Sequence, residues 1–540
     1  MHIKGKSKSE NIIIDSIGYQ QEHIDIKSLY ETLNSFHEQL HRIGYLESAL
    51  ISLKKENDTL YIANWVLNKK IISASITYDE EKIPRTALIN ILPTNSKINK
   101  NSFKIDFKQT ANVLEKITTF FEKKGDPFIE ANLENLKVRN DTLMAKLIIS
   151  TTKNRTLDKI IVKGYKKFPK AFLKNNQILK KGKVFYKDDF IKNTLTINSL
   201  PFIEEIKPPE VLFEKDSTTV FLYLKKRSAN SFDGFLGFGT DQSNSNINLN
   251  GYIDLKLLNN LNKGEEFVLN WKNNGNKQTT FKTALTIPYI FNTPIGLNTE
   301  LNILRQDSIF SNTSTVFNLE YALNTNSLMR IGIENLNTNS TSEVITDNIL
   351  KDLSSIFYTI GFQKKVNSSN NSLLKEKFLI DIRFGHGYRK TDQQKTDQQK
   401  INTSISYRWD LDRRNKIYLK NTFQSLFSDD YFLSEKIRYG GINSIRGFNE
   451  NTIEATLYNV INTEYQVFLS NDTYIHSIID IGYTEDKLVG SKNNLYGFGF
   501  GFSTKTAGGI LKFNYAVGKT NDSSIKLSES KIHVSFSSFF

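Results

Sequence analysis

From Ser228 to the end of the chain, segments of about ten residues alternate apolar and polar side chains, and turns rich in Asn, Ser and Gly separate them. This alternation is typical of transmembrane β-strands, which turn one face to lipid and the other to a polar lumen. Single-chain bacterial barrels contain an even number of strands, so the segments predict an all-β transmembrane barrel of sixteen antiparallel strands. The segments cover residues 232–241, 247–258, 265–272, 279–288, 295–305, 315–323, 328–336, 356–364, 378–388, 401–409, 416–427, 454–469, 474–483, 495–504, 510–517 and 531–540.

The strand count also predicts the direction of the barrel. If the first strand leaves the periplasm, every link from an odd to an even strand is extracellular. Three long polar links fall on that side, at residues 339–354, 390–400 and 437–451, whereas residues 366–376 are the one long link expected on the periplasmic side. The alternative, a soluble all-β protein, would need a sandwich core that the pattern does not provide.

The composition limits the other classes of protein. No stretch of eighteen apolar residues predicts a transmembrane helix, and the absence of cysteine excludes disulfides and thiolate metal sites. The 37 Phe and 23 Tyr suit the aromatic girdles of a membrane barrel. The net charge of +14 is spread along the chain without a basic helix or aromatic-basic module, so we predict no nucleic-acid partner. Residues 1–20 lack the apolar region of a secretory signal, so either a signal has been removed or a membrane location is wrong.

One short motif raises the question of an enzyme. His37 to His41 reads H-E-x-x-H, the helix signature of zinc proteases, which places both histidines on one helix face. The motif lies beside the apolar stripe of a short helix, and Glu47 and Glu56 fall on or beside predicted strands, so no second helix offers a third ligand. We therefore predict no catalytic residue, no metal site, no cofactor and no enzymatic activity.

Before the barrel, the sequence predicts three small α/β modules at residues 1–70, 71–154 and 155–227. The first two share the order helix, strand, strand, and both contain the tetrapeptide NDTL, which indicates a tandem repeat. The third has the order strand, helix, helix, strand, strand, with Pro169 opening its first helix. The predicted elements cover residues 26–43, 45–54 and 59–67 in the first module, 111–124, 128–138 and 142–150 in the second, and 159–163, 187–197, 202–206 and 218–225 in the third.

The link at residues 437–451 reads IRYGGINSIRGFNEN, a Gly-rich loop with arginines between two predicted strands. In strand thirteen, alternation puts Ile479 and Ile481 on the lipid face, so the Asp480 side chain points into the lumen. In strand fourteen, Gly alternates with Phe from Tyr496 to Phe502. We expect the glycine face to turn inward and leave room for the tip of the loop.

Together these features resemble the BamA/TamA superfamily of outer-membrane assembly and translocation barrels. Arg446-Gly447-Phe448 resembles the loop signature of that family, and the segment from Ile478 to Gly482 resembles its F-x-D-x-G motif with Ile in place of Phe. The N-terminal modules resemble POTRA domains, which hold client polypeptides at a sheet edge. The resemblance implies a loop lock in which Arg446 pairs with Asp480 inside the barrel, and in which Gly447, Phe448 and Gly482 take part.

The same resemblance implies a lateral gate between the first and last strands of the barrel. Strand one contains Gly234, Gly237 and Gly239, which supply no cross-strand packing, and the last strand contains Phe536 and ends at Phe540. We expect the two strands to share only a short hydrogen-bonded ladder, in which Gly237 faces a residue near Phe536. The aromatic end of the last strand also resembles the signal by which such barrels are recognised for insertion.

The implied function is insertion of outer-membrane proteins or translocation of polypeptides, with the modules in the periplasm. The alternative is a two-partner secretion translocator, which exports one dedicated protein through the lumen; it usually has two POTRA modules and a plug helix, so three modules favour the first function. A passive porin needs neither modules nor the loop. The implied partners are unfolded client polypeptides, the lipid bilayer, and periplasmic or lipoprotein subunits.

Overall fold

The computed structural model of the chain describes most of the sequence as two compact units. One unit consists of Met1–Asp158, Gly182–Phe190 and Glu214–Thr218, and the other of Lys159–Lys181, Ile191–Phe213 and Thr219–Phe540. The described residues are 1–175, 179–198, 200–240, 247–273, 278–306, 309–324, 326–340, 350–368, 373–374, 376–392, 394–506, 508–521 and 527–540, with the side chains of 235–240, 247–250 and 539 left aside.

The first module is a three-stranded sheet covered by two helices. Its central strand runs parallel to the first strand and antiparallel to the other, and four residues of the second helix (Leu29, Leu33, Phe36 and Leu40) form much of the buried core. The second helix begins after Asp25, whose carboxylate accepts the Ser28 N–H at 2.7 Å. The elements are β1 (His2–Gly5), α1 (Lys8–Ile17), α2 (Ile26–Arg42), β2 (Ala49–Lys55) and β3 (Tyr61–Val66).

The second module repeats this plan and adds a hairpin. The sheet order is β5-β6-β4-β8-β7, in which β4 lies parallel to β8 and β7 antiparallel to it. The added hairpin, β5 and β6, widens the sheet on the side of β4. The elements are β4 (Ser73–Thr77), α3 (Arg85–Ile91), β5 (Lys97–Ile98), β6 (Ser102–Asp106), α4 (Thr110–Glu122), β7 (Glu130–Arg139) and β8 (Thr142–Ser150).

The third module has the predicted order of strand, two helices and two strands. Its first strand again lies parallel to its last, and the sheet order is β10-β11-β9. All three modules therefore share one β-α-α-β-β plan, which confirms the predicted POTRA-like repeats. The elements are β9 (Lys159–Gly164), α5 (Ala171–Lys174), α6 (Lys187–Asn198), β10 (Ile203–Phe213) and β11 (Thr218–Lys226).

The rest of the chain forms a closed antiparallel barrel of sixteen strands, as predicted. Each predicted segment corresponds to one barrel strand, and a small separate hairpin (β23, Ile437–Tyr439, and β24, Ile453–Ala455) lies in the link between the eleventh and twelfth. The barrel strands are β12 (Ser231–Thr240), β13 (Ile247–Leu258), β14 (Glu266–Asn273), β15 (Gln278–Ile287), β16 (Ile295–Gln306), β17 (Phe310–Asn324), β18 (Ser327–Ser340), β19 (Leu353–Asn367), β20 (Glu376–Lys390), β21 (Lys395–Asp410), β22 (Asn415–Phe427), β25 (Leu457–Ser470), β26 (Thr473–Asp486), β27 (Ser491–Thr506), β28 (Gly509–Thr520) and β29 (Lys531–Phe539).

The two faces of the barrel wall differ in polarity, as a membrane barrel requires. Large apolar side chains on alternate positions of many strands are exposed outward, with Ile331 60%, Tyr358 59% and Ile360 51% accessible. Ionised side chains pair on the inner face, where Arg330 contacts Glu320 at 2.9 Å. An apolar outer band around a polar interior is stable when lipid covers the band. Outside a membrane the same apolar band would be exposed to water. The barrel therefore spans a membrane.

The links between strands differ in part from the prediction. Residues 390–400 are not a long loop, because β20 continues to Lys390 and β21 begins at Lys395, and the Thr391 N–H donates to the Gln394 carbonyl in a tight turn. Residues 341–349 of the link predicted at 339–354, and residues 369–372 and 375 of the link predicted at 366–376, lie outside the described residues. Among the described residues, no helix is long and apolar enough to cross a membrane.

Candidate functional site: the lumen loop

Residues 428–456 connect β22 to β25 and lie across the inside of the barrel; we call them the lumen loop. At one side, Asn312 of β17 donates to the Ser434 carbonyl at 2.6 Å, and Lys272 of β14 pairs with Glu450. At the other side, Arg446 contacts β25 and β26. Since these barrel residues all belong to the inner face, the loop occupies the lumen.

Arg446 anchors the tip of the lumen loop to the barrel wall. Its Nε and Nη2 donate to the two carboxylate oxygens of Asp480 at 2.8 and 2.6 Å, and its backbone N–H donates to the same carboxylate at 2.8 Å. Its Nη1 donates to Glu464 of β25 at 2.5 Å. The Arg446 and Asp480 side chains are 6% and 0% exposed. Two carboxylates therefore share one buried guanidinium in a bidentate geometry that lysine cannot supply.

The surroundings of Arg446 keep its guanidinium permanently charged. Burial alone lowers the pKa of the Arg446 guanidinium, but its hydrogen bonds and charge contacts with Asp480 and Glu464 outweigh burial and raise that pKa. Arg446 therefore stays charged, and removal of its side chain leaves two buried carboxylates without their cation. Sequence reasoning placed Asp480 in the lumen but gave no role to Glu464.

Glycines make room for the loop tip against β26, β27 and β28. A Cβ on Gly497 would overlap the carbonyl oxygen of Arg446, and a Cβ on Gly518 would lie 2.6 Å from the carbonyl oxygen of Gly447. Gly447 itself has φ +90, in the left-handed region that favours glycine. A Cβ on Gly482 would lie 3.1 Å from the Ile445 side chain, and a Cβ on Gly518 would lie 2.9 Å from the Phe448 ring. The inward glycine face of β27 thus touches the loop.

We expect Gly497→Ala to loosen the lumen loop, because the new Cβ would collide with the Arg446 carbonyl. Overpacking of this kind typically costs about 1–3 kcal/mol. The temperature at which the folded barrel converts to the unfolded form on a gel should fall. Gly385→Ala is the matched control, since its Cβ would meet only the flexible Lys400 side chain at 3.0 Å and Thr359 at 3.4 Å. Equal midpoints for both variants would contradict the role of Gly497.

The predicted gate residues lie at a short seam between β12 and β29. Among the described residues these strands pair only at Ser231 with Phe539 and Phe232 with Ser538. The predicted contact of Gly237 with the region of Phe536 is therefore wrong: Gly237 pairs with Asn250 of β13, and Phe536 pairs with Leu511 of β28. Of the remaining predicted gate residues, Gly234 and Gly239 pair with β13, and the Phe540 N–H donates to the Asn230 carbonyl at 3.2 Å.

A second buried arginine holds the other half of the lumen loop, and sequence reasoning missed it. Arg389 of β20 donates from Nη1 to Glu435 at 2.7 Å and from Nη2 to Asp430 at 2.5 Å. Gln398 of β21 also donates to Glu435, at 2.7 Å. The only signal in the sequence was Arg389 itself, a cation directly after the segment predicted as a strand at residues 378–388, since Glu435 lies outside the predicted strands.

The H-E-x-x-H motif lies on α2 of the first module. The rings of His37 and His41 have centroids 4.1 Å apart, and His37 also contacts Trp65 at 5.6 Å. Burial and the neighbouring His37 lower the pKa of His41, so the neutral form of the His41 imidazole is favoured. In the part of the chain that the structure describes, no group of three or more potential ligands could hold a metal ion. The two histidines pack on the sheet side of the helix, and no third ligand joins them.

Comparison with known proteins gives the fold a name. No family model and no curated protein matches this sequence. Among solved structures, CdiB from Acinetobacter baumannii is 12% identical with a TM-score of 0.53 and covers 95% of this chain and 97% of its own. CdiB from Escherichia coli is 13% identical with a TM-score of 0.53, and the match covers 96% of this chain and 100% of the CdiB chain. BamA from Haemophilus ducreyi lacking POTRA domains 1-3 is 13% identical with a TM-score of 0.49, and the match covers 86% of this chain and 99% of the BamA chain. The chain therefore shares the fold of the two CdiB structures.

Proposed function

We propose that this protein inserts polypeptides into the outer membrane or translocates them across it, without catalytic chemistry. The observation that carries the proposal is the lumen loop, which is held inside a sixteen-stranded barrel by the buried Arg446–Asp480 pair. A passive pore has no use for a loop that fills its own lumen. Such a loop does suit a barrel that must stay closed to small solutes and open for a polypeptide.

The proposed location is the outer membrane, with the N-terminal modules in the periplasm. The apolar outer band of the barrel supports a membrane location. Within the unit that contains the barrel, the third module contacts two turns that are periplasmic in the proposed orientation. The Asn259 side chain donates to the Tyr165 hydroxyl at 2.7 Å, and the Phe172 and Tyr289 rings lie 4.9 Å apart. These contacts support a position of the third module at the proposed entry side of the barrel.

Insertion is our first candidate because the seam offers a lateral exit. A client strand can pair with the edges of β12 and β29 where these two strands do not pair with each other. Among the residues that the structure describes, that is most of their length. The edge strands of the modules, such as β7 and β10, offer the same backbone groups to an unfolded client. The client would pass from module edge to barrel edge.

Translocation of one dedicated protein is the second candidate. The likeness to CdiB, a two-partner secretion translocator, extends over nearly the whole of both chains and supports it. In this case the client passes through the lumen, so the lumen loop must move aside while the seam stays closed. The two candidates therefore differ in which part of the barrel opens.

The proposal predicts a folded outer-membrane protein with measurable assembly or export activity. We expect the 62.0 kDa chain to fractionate with outer membranes and to migrate faster on gels when unheated, because the barrel resists detergent until it is heated. Proteoliposomes containing the protein should accelerate insertion of a urea-unfolded outer-membrane barrel relative to empty liposomes. A soluble protein without heat-modifiable migration would refute the membrane assignment. Folded protein that neither accelerates insertion nor exports a secreted client would refute the function alone.

A further inference from the structure

We propose that the turn between β21 and β22, residues 411–414, binds the headgroup of an anionic phospholipid at the membrane surface. The turn reads Leu-Asp-Arg-Arg and joins two strands of the barrel. The inference goes beyond the proposed function and depends only on the barrel spanning a membrane. It gives this end of the barrel a preferred lipid, which the apolar outer band alone does not select.

The turn and its surroundings carry an excess of positive charge. A cleft beside the turn is lined by four cations and two carboxylates, namely Lys377, Arg413, Arg414, Lys416, Asp410 and Asp412. Asp410 pairs with Lys377 at 3.0 Å and also with Lys416. Arg413 and Arg414 are exposed, and neither forms an ion pair within the part of the chain that the structure describes. Two guanidinium groups are therefore available to an anion.

Hydrogen bonds give the turn a fixed shape. The Asp412 carboxylate accepts the backbone N–H groups of Arg414 and Asn415 at 2.7 and 2.8 Å, and the Asn415 side-chain amide at 2.7 Å. From β25, the Tyr465 hydroxyl donates to the Asn415 side-chain oxygen at 3.0 Å, and the Phe468 N–H donates to the Arg414 carbonyl at 2.8 Å. The backbone that carries the two arginines is thus ordered before a lipid binds, which reduces the entropy lost on binding.

Apolar side chains next to the turn suit the acyl part of a lipid. Trp409 of β21 and Leu469 of β25 are 44% and 62% exposed, and Leu411 within the turn is 55% exposed. The Trp409 ring lies 4.6 Å from the Tyr407 ring. Tryptophan and tyrosine concentrate at the level of the lipid headgroups, so the phosphates of this leaflet lie beside the turn. The acyl chains then contact the apolar side chains while the phosphate contacts the arginines.

The turn differs in charge from the other turns at the same end of the barrel. In the sequence, the links at residues 259–265, 288–294, 325–326, 368–375, 471–472 and 507–508 each contain at most one lysine or arginine. A guanidinium binds two phosphate oxygens at once, which an ammonium group cannot do. Each cation near a membrane surface favours an anionic lipid by roughly fivefold, so two adjacent arginines give this turn the strongest preference at its end of the barrel.

Fluorescence quenching by lipids with brominated acyl chains shows which lipid lies beside Trp409. The chain contains three tryptophans. Trp65 is buried in the first module and gives a constant background, and Trp271→Phe removes the other barrel tryptophan. The full chain is reconstituted in phosphatidylcholine with a minor share of phosphatidylglycerol, and the bromines are placed on one lipid or the other. We expect phosphatidylglycerol to be favoured about tenfold at Trp409, and this preference to vanish in Arg413→Gln with Arg414→Gln.

Two control variants make the measurement specific to the turn. Trp409→Phe leaves Trp271 of β14 as the reporter, and it should show no preference between the two lipids. Lys69→Gln with Lys70→Gln removes the same charge from the first module, and it should leave the preference at Trp409 unchanged. Heat-modifiable migration on gels verifies that each variant is folded.

Equal quenching by the two lipids at Trp409 would overturn the proposal, as would a preference that survives the arginine substitutions or that is equally strong at Trp271. Loss of the preference when inorganic phosphate replaces chloride at the same ionic strength would also overturn it, because the turn would then hold free phosphate. The expected preference in a protein that neither inserts nor exports a client would refute the proposed function and leave the lipid site standing.

Discussion

Replacement of Arg446 by alanine should release the tip of the lumen loop and open the barrel to ions. The substitution leaves Asp480 and Glu464 buried without their cation, and losing one partner of a buried pair costs about 3–5 kcal/mol. Because the cost falls on the closed form, the open form becomes populated. We expect more frequent openings in planar bilayers and a strong loss of assembly or export, while the barrel itself still inserts.

Arg330→Ala is the matched control for this prediction. Arg330 also lies in the lumen with buried acidic partners, Glu320 at 2.9 Å and Asp381 at 3.1 Å, but both of these partners belong to the barrel wall. It should lower the unfolding midpoint without raising conductance. Exchange of the charges between positions 446 and 480 should rescue only in part, since the carboxylate brought to position 446 would face Glu464. Full activity of Arg446→Ala would show that the lock has no functional role.

The barrel could be predicted from sequence because its signal is local. Alternation is repeated in every strand, and it identified the outward Ile479 and Ile481, 44% and 49% exposed, around the buried Asp480. The prediction failed where strands leave the membrane. Residues 395–400 were read as a loop because they are polar on both faces, and yet they pair with β20. Where a barrel strand extends beyond the lipid, neither of its faces needs apolar side chains. That end of the strand therefore shows no alternation of apolar and polar residues in the sequence.

The lumen loop was only half predictable. Arg446 and Asp480 each lie in a recognisable motif, and alternation fixed the direction of one of them. Arg389 and Glu435 are 46 residues apart, and Glu435 lies in chain without periodicity, so nothing local joins them. In the modules, α1 was missed because Ile12, Ile13 and Ile14 are consecutive and hide the helical period. Pairings set by tertiary folding alone leave no pattern in the sequence.

A disulfide across the seam should distinguish insertion from translocation. Phe232 of β12 and Ser538 of β29 face each other, and directly opposite residues have Cβ atoms about 4.5–5.5 Å apart, close enough for a bond after a small adjustment. With so few paired residues, and with each cross-strand pair contributing about 0.2–1 kcal/mol, the seam opens easily unless it is covalently closed.

The oxidised variant Phe232→Cys with Ser538→Cys should lose insertion of a client barrel almost completely and regain it with reductant. The matched control is Leu511→Cys with Phe536→Cys, a facing pair in the ladder of β28 and β29, which continues from Gly509 to Ala516 and has no reason to open. Its disulfide should leave activity unchanged. A translocator that passes its client through the lumen should tolerate both disulfides and lose export only when the loop tip is tied by Ile445→Cys with Gly482→Cys. Full client insertion by the oxidised seam variant would therefore exclude the lateral exit and leave the lumen as the route.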